Sequence, residues 1–223
     1  MAPIVALLLA SAIPLAVFGQ ATVPDTDPDW EEDPYERARR VNEGDLRILA
    51  TAPGKPAHHH VNHLTISANS LDTGWVLLQQ CHYHLDAVPA AEIVYTRGRV
   101  RDIRVTAVTN IGRAEAKEDS VQLEDVQRGA TLCIRAETRA LSRTGESYVL
   151  RNGPFMRRFL DGYYPMRVTL IVDYPAGLSL VRHEPDQQPG VGALYGEHRL
   201  ELDTWFEGIL NTRVEFRKIA APS

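Results

Sequence analysis

The chain has 223 residues, of which 44% are hydrophobic and 24% charged, and its formal net charge is −5. This composition is typical of a globular protein with a buried core, and the length favours one main domain. The negative net charge and the lack of a concentrated basic block argue against nucleic acid as a partner.

The N-terminal segment carries no charged side chain over residues 1–19, and an apolar run extends from Ile4 to Phe18. The run is shorter than the roughly 20 residues that cross a bilayer as a helix, and the small residues after it suit a cleavage site. We therefore predict that residues 1–21 are the signal peptide of a periplasmic or secreted protein. Because no Lys or Arg precedes the run, an uncleaved anchor is the alternative, and the membrane would be contacted only through it.

Residues 22–44 form an acidic, proline-bearing leader with few aliphatic side chains. Such a segment cannot bury enough apolar surface to offset its conformational entropy, so we expect it to be flexible. Near its end, Asp33 can cap a short helix with Pro34 at its first position and Glu36 completing a capping box. That helix is expected to end by Gly44.

The remaining segment, residues 45–223, has a dominant hydrophobic period of two. The stretch HLTISA, for example, places Leu64 and Ile66 on one face and His63 and Thr65 on the other. About ten such stretches follow one another, separated by turn signals such as DTG, QRGA and YPAG. This pattern predicts an all-β domain, an antiparallel β-sandwich of about nine strands with an immunoglobulin-like or jelly-roll-like arrangement.

One stretch, RNGPFMRRFLDGYYP, breaks the period of two. Asn152 can act as a helix cap with Pro154 in the first turn, and Gly162 suits the end of a helix. Phe155 and Phe159 would then share one face. We expect a short helical insert between strands at this point.

Two cysteines, Cys81 and Cys133, are present, without the spacing of a redox or zinc motif. In an oxidising compartment an even number favours one disulfide, and two free thiols are the alternative. The bond would close a loop of about 50 residues and stabilise the fold by roughly 4 kcal/mol in the chain-entropy model.

Histidines are concentrated in two groups, in KPAHHHVNH (55–63) and CHYH (81–84). Side chains two positions apart share a strand face, so His82 and His84 could bind one ion, and so could His58 and His60. We expect loop before Asn62, and a hairpin of residues 63–68 with 75–85 would bring both groups to one edge of the sheet.

The histidines therefore predict a candidate copper or zinc site made of His60, His63, His82 and His84. Two alternatives remain. The face of His82 and His84 also carries Val76 and Leu78, so these imidazoles could be core residues satisfied by hydrogen bonds. A solvated, pH-responsive patch of histidines is the other alternative.

The stretch CIRAETRALSR carries a further polar pattern, because Arg135, Glu137 and Arg139 share one strand face. On a solvated face such a charge ladder is ordinary. Its functional alternative is a surface that docks an anionic partner or a polysaccharide.

Motifs of hydrolytic catalysis are missing from the sequence: neither G-x-S-x-G nor H-E-x-x-H occurs. We therefore expect an exported, non-catalytic binding or accessory protein whose partner is an unidentified protein or polysaccharide. A copper- or zinc-binding protein is the alternative, and a carbohydrate-active enzyme on a β-sandwich ranks third.

Overall fold

The computed structural model describes residues 43–219. The predicted signal peptide, residues 1–21, and the predicted leader up to residue 42 with most of its short helix lie outside the described residues. The described part contains fifteen strands and one α-helix, which are β1 (Arg47–Leu49), β2 (His59–Thr65), α1 (Ala68–Thr73), β3 (Val76–Leu85), β4 (Val88–Val94), β5 (Val100–Ala116), β6 (Ser120–Thr138), β7 (Leu141–Thr144), β8 (Ser147–Phe155), β9 (Arg158–Phe159), β10 (Gly162–Tyr163), β11 (Met166–Asp173), β12 (Leu178–Glu184), β13 (Val191–Gly196), β14 (Arg199–Glu207) and β15 (Leu210–Lys218).

The largest sheet has nine strands in the order β1-β14-β11-β2-β3-β6-β4, with β13 also pairing with β14 and β5 with β6. Its pairs are antiparallel except one: β2 and β11 run parallel, with His60 opposite Val168. The chain is thus mostly β, as predicted, but the expected purely antiparallel arrangement of about nine strands is wrong. Local periodicity cannot show a parallel pair, because its two strands lie about a hundred residues apart in the sequence.

The second sheet has four strands, in the order β12-β15-β8-β7. Its inward side chains pack with those of the nine-stranded sheet in one hydrophobic cluster. That cluster combines Leu64, Leu170 and Leu200 of the large sheet with Leu150 and Phe216 of the small one. The alternating pattern of β2 and β3 therefore has a direct cause, since one face of each strand is turned toward this shared core.

The expected helical insert after Asn152 is wrong. The chain stays extended there, because β8 continues to Phe155 and pairs with β15, opposite Leu210. Phe155 is buried against Met166 and Phe206, so tertiary packing outweighs the local helix signals.

The described helix, α1, lies instead in the connection between β2 and β3. Ser67 and Ser70 form its capping box, and Gly74 ends it in a left-handed conformation, φ 77°. No helix among residues 43–219 is both long and apolar enough to cross a membrane.

Cys81 and Cys133 lie opposite one another on β3 and β6 and are disulfide-bonded, the pairing that the sequence predicts. Both side chains lie on the opposite face of the sheet from their buried neighbours His82 and Leu132, and we call this the outer face. The bond thus links two strands on the outer face of the large sheet.

Candidate metal centre

The β2–β3 pair brings the two histidine groups together, as the predicted hairpin of residues 63–68 with 75–85 implies. The register places His60 opposite His82 and His59 opposite Tyr83. The expected loop before Asn62 is wrong, because β2 already begins at His59. His63 consequently lies three residues further along, opposite Gln79.

Three imidazoles converge on the inner face of this pair: His58, His60 and His82. Each offers one ring nitrogen such that all three nitrogens lie within 4.8 Å of one another. His58 Nε2 and His82 Nδ1 are at hydrogen-bond distance, 3.0 Å apart. The rings of His60 and His82 lie 4.3 Å apart, centroid to centroid. Three ring nitrogens within 4.8 Å of one another are close enough to be ligands of one metal ion. We call His58, His60 and His82 the histidine cluster.

Burial keeps the histidine cluster neutral. His60 and His82 are almost fully buried, and His58 is half-buried. Loss of hydration lowers the pKa of His58 to about 4, with Asp86 opposing the shift and Arg157 adding to it. The same cause lowers the pKa of His60 to about 3 and that of His82 well below its usual value. At neutral pH all three imidazoles therefore keep a lone pair for an ion.

Two amide side chains hold His60 in place. Asn62 Oδ1 lies 2.8 Å and Gln80 Nε2 lies 2.6 Å from His60 Nε2, and Tyr95 Oη donates to Gln80 Oε1. Both amides contact the same ring nitrogen, so Nδ1 of His60 is the nitrogen without an amide contact. Such outer contacts are what fixes the ring of a metal-binding histidine.

His82 has no equivalent support. Its Nδ1 faces His58, and its buried Nε2 has no hydrogen-bond partner among residues 43–219. An unpaired buried polar atom costs about 1–3 kcal/mol. His82 is therefore a member of the histidine cluster with one ring nitrogen, Nε2, left without a partner among the described residues.

An ion pair borders the cluster beside His58. Arg157 donates two hydrogen bonds to Asp86, 2.9 Å from Nε to Oδ2 and 2.7 Å from Nη2 to Oδ1. The predicted helical insert thus contributes an extended segment, whose arginine holds the carboxylate that acts on His58.

The four histidines predicted from the sequence do not all meet. His60 and His82 belong to the cluster. His63 is on the outer face of β2, where its Nε2 lies 2.5 Å from Asp173 Oδ2. His84 is exposed, because a bulge in the β3–β6 pairing and a positive φ of 56° turn it away from the face of His82. With His59 it lines a separate cavity of about 270 Å³.

His58 is the member that the predicted set omits. The spacing of His58 and His60 contains the signal, since residues two apart share a strand face, but His58 precedes the strand and its orientation depends on tertiary contacts. The two histidine groups lie at the same end of the β2–β3 pair, away from α1, as predicted, and both strands are interior strands of the large sheet.

A further cavity, of about 720 Å³, lies away from the cluster, around His183 and Tyr195. Neither the histidine cluster nor the other predicted histidines line it.

Comparison of the chain with protein-family models, curated proteins and solved structures finds no match. The case for a function thus rests on the geometry of the cluster.

Proposed function

We propose that this chain is an exported binding protein whose ligand is a zinc or copper ion, held by His58, His60 and His82. The observation that carries the proposal is the convergence of three neutral imidazoles on one buried point, with their nitrogens within 4.8 Å of one another. The neighbouring amides, which orient His60, support it.

The distances suit an ion after a small adjustment. Zn–N bonds are about 2.0–2.1 Å long, so two nitrogens on one tetrahedral ion lie roughly 3.4 Å apart. His58 and His82 are slightly closer than this, at 3.0 Å. The third nitrogen lies within 4.8 Å and has to approach by no more than about 1.4 Å, which rotation of a side chain supplies.

The donor set selects the class of metal. Imidazole suits zinc and copper, whereas magnesium and calcium prefer oxygen ligands. Thiolate ligands are excluded here, because both cysteines are in the disulfide. Three protein ligands leave a coordination position open for water or an anion.

The proposal includes export to the periplasm or the cell exterior, and a sandwich arrangement of the two sheets. A disulfide is typical of oxidising compartments, and together with the apolar run at residues 4–18 it supports a periplasmic or secreted location. The core shared by the two sheets supports a sandwich arrangement.

The test is a metal titration of the chelator-treated protein with Zn(II) and with Cu(II). We expect one ion per chain by elemental analysis and a higher thermal midpoint at stoichiometric ion, since a ligand that binds only the folded state stabilises it. His58→Ala should weaken binding by at least about 100-fold, as expected for loss of one of three ligands.

The matched control is His59→Ala. His59 is the next residue, but its Nε2 lies 2.8 Å from Thr169 Oγ1 on the outer face. Removing the His59 side chain should change the metal affinity by less than about threefold, the size of effect that is usual for a substitution outside the binding site. An unchanged thermal midpoint with both ions, or equal losses in the two variants, would contradict the proposal.

A further inference from the structure

A third concavity lies at the other end of β3 from the histidine cluster, where α1, β7 and the ends of β5 and β6 meet. Its volume is about 400 Å³, and its lining contains three arginines, Arg99, Arg139 and Arg143, against one acidic residue, Asp72. Gly74 lines it, eight residues before His82, which corresponds to about 26 Å along a strand. We call it the arginine pocket.

Main-chain contacts fix the segments that carry these arginines. Arg139 N donates to Arg99 O at 2.9 Å, and Leu141 N donates to Gly74 O at 3.2 Å. Gly74 permits this approach, because a Cβ atom there would lie 2.6 Å from Leu141 O. The backbone thus fixes the position of Arg99 relative to Arg139, and that of the start of β7 relative to α1.

The three guanidinium groups are not neutralised within the described chain. Among residues 43–219 no carboxylate lies within 4.0 Å of Arg99, Arg139 or Arg143. Arg101, only two residues from Arg99, is by contrast paired with Glu137 and stacked over Trp75 at 4.2 Å. The fold therefore neutralises one arginine of this region and leaves three positive charges around one cavity.

Most of the N–H donors of the pocket remain available. Arg99 uses Nη2 for Arg139 O at 3.1 Å, and Arg143 uses Nε for Gly145 O at 3.0 Å. A guanidinium carries five N–H donors in a planar fork that matches the oxygens of sulfate, phosphate or carboxylate groups. The two tethered arginines are thus held in position with the rest of their forks unused.

We propose that the arginine pocket binds a tetrahedral oxyanion of the sulfate or phosphate type, either as a free ion or as an ester group on a larger molecule. Charge-assisted hydrogen bonds from several guanidinium groups are the strong contacts for such groups. The attraction is local, since the whole chain has a net charge of −5. This site is independent of the histidine cluster and does not rest on metal binding.

The test is calorimetric titration of the metal-free protein with sodium sulfate and sodium phosphate, with sodium chloride holding the ionic strength constant. We expect saturable binding of one anion per chain. Arg99→Gln/Arg139→Gln should weaken it at least tenfold, because two charged donors are lost.

The matched control is Arg104→Gln/Arg135→Gln. These arginines are also exposed, lie opposite each other on β5 and β6, and make no ion pair among residues 43–219. Removing the same two charges there should change the affinity by less than about twofold, since exposed distant charges are screened by salt. Circular dichroism verifies that both variants are folded.

A sulfated monosaccharide and its unsulfated parent separate the two sources of the anion. Tighter binding of the sulfated sugar than of free sulfate assigns the pocket to an ester group, and equal or weaker binding assigns it to the free ion. Both results support the proposal. It is overturned if the wild type shows no saturable binding of either anion, if both double variants weaken binding equally, or if the unsulfated sugar binds as tightly as free sulfate.

Discussion

The two faces of the β2–β3 pair use the same residue type in opposite ways. On the outer face His63 contacts the carboxylate of Asp173, which is also paired with Arg199, and the disulfide lies on the same side. On the inner face His60 and His82 contact only neutral groups. Burial among neutral groups lowers the pKa of His60 and His82 and preserves the lone pair that a metal needs. The face on which a histidine lies, more than the number of histidines, thus decides its chemistry.

The largest expected effect of a substitution on stability comes from breaking the covalent link on the outer face. Cys81→Ala/Cys133→Ala should lower the free energy of unfolding by about 4 kcal/mol, because the bond constrains a separation of 52 residues in the unfolded chain. Urea denaturation of both proteins measures the loss. Zinc affinity under folding conditions should change by less than about threefold, since no ligand is removed. A large loss of zinc affinity with intact folding would contradict the separation of the two faces.

Acidification should act next, and through the inner face. Burial holds the pKa of His58 at about 4 and that of His60 at about 3, against 6.5 in the unfolded chain. The unfolded chain therefore binds more protons below pH 6.5, and stability that is complete above this value is lost as the pH falls toward 4. The loss is at most about 1.4 kcal/mol per pH unit for each histidine.

Urea midpoints of the metal-free protein across this range measure the effect. His58→Gln should show a shallower decline than the wild type, because one depressed pKa is removed. Parallel declines in the two proteins would show that acid acts elsewhere.

Removing a contact that orients His60 should lower the zinc affinity less than removing one of the three proposed zinc ligands. Gln80→Leu removes an amide at His60 Nε2 and should weaken zinc binding about 10- to 100-fold. Gln79→Leu is the matched control, because Gln79 is the adjacent residue and exposed on the outer face. It should leave the affinity within about twofold. Equal affinities of the two variants would remove Gln80 from the proposed site.

The smallest effect is expected for the ion pair of the outer face. Asp173→Asn should cost less than about 1 kcal/mol of stability, because the contacts of Asp173 with His63 and Arg199 are partly exposed. Thermal denaturation measures it, and zinc titration of the same variant should match the wild type. A zinc affinity that falls with Asp173→Asn would place His63 in the metal site.

Local periodicity predicts much of this arrangement. The period of two places Leu64 and His63 on opposite faces and puts His82 on the face of Val76 and Leu78, and all of this is found. The disulfide partners and the β2–β3 pairing are also predicted. The strand faces and the β2–β3 pairing depend on residues that are close in sequence. The disulfide is predictable because two cysteines allow one pairing.

The rest depends on contacts that a short window does not contain. The β-bulge that turns His84 away arises from pairing with β6, and the parallel neighbour of β2 comes from a distant segment. Phe155 keeps its segment extended because it is buried in the core, against the local signals for a helix. His58 joins the cluster from outside the strand, where periodicity no longer fixes its direction.

The position of β2 between β11 and β3 sets the path by which an ion would be exchanged. Interior strands have both rows of hydrogen bonds occupied and open only with large-scale unfolding, so they give an ion no direct way in or out. His58 alone of the three ligands precedes a strand and is half-buried. The rates of capture and release would therefore be governed by the short segment before β2, without any opening of the sheet.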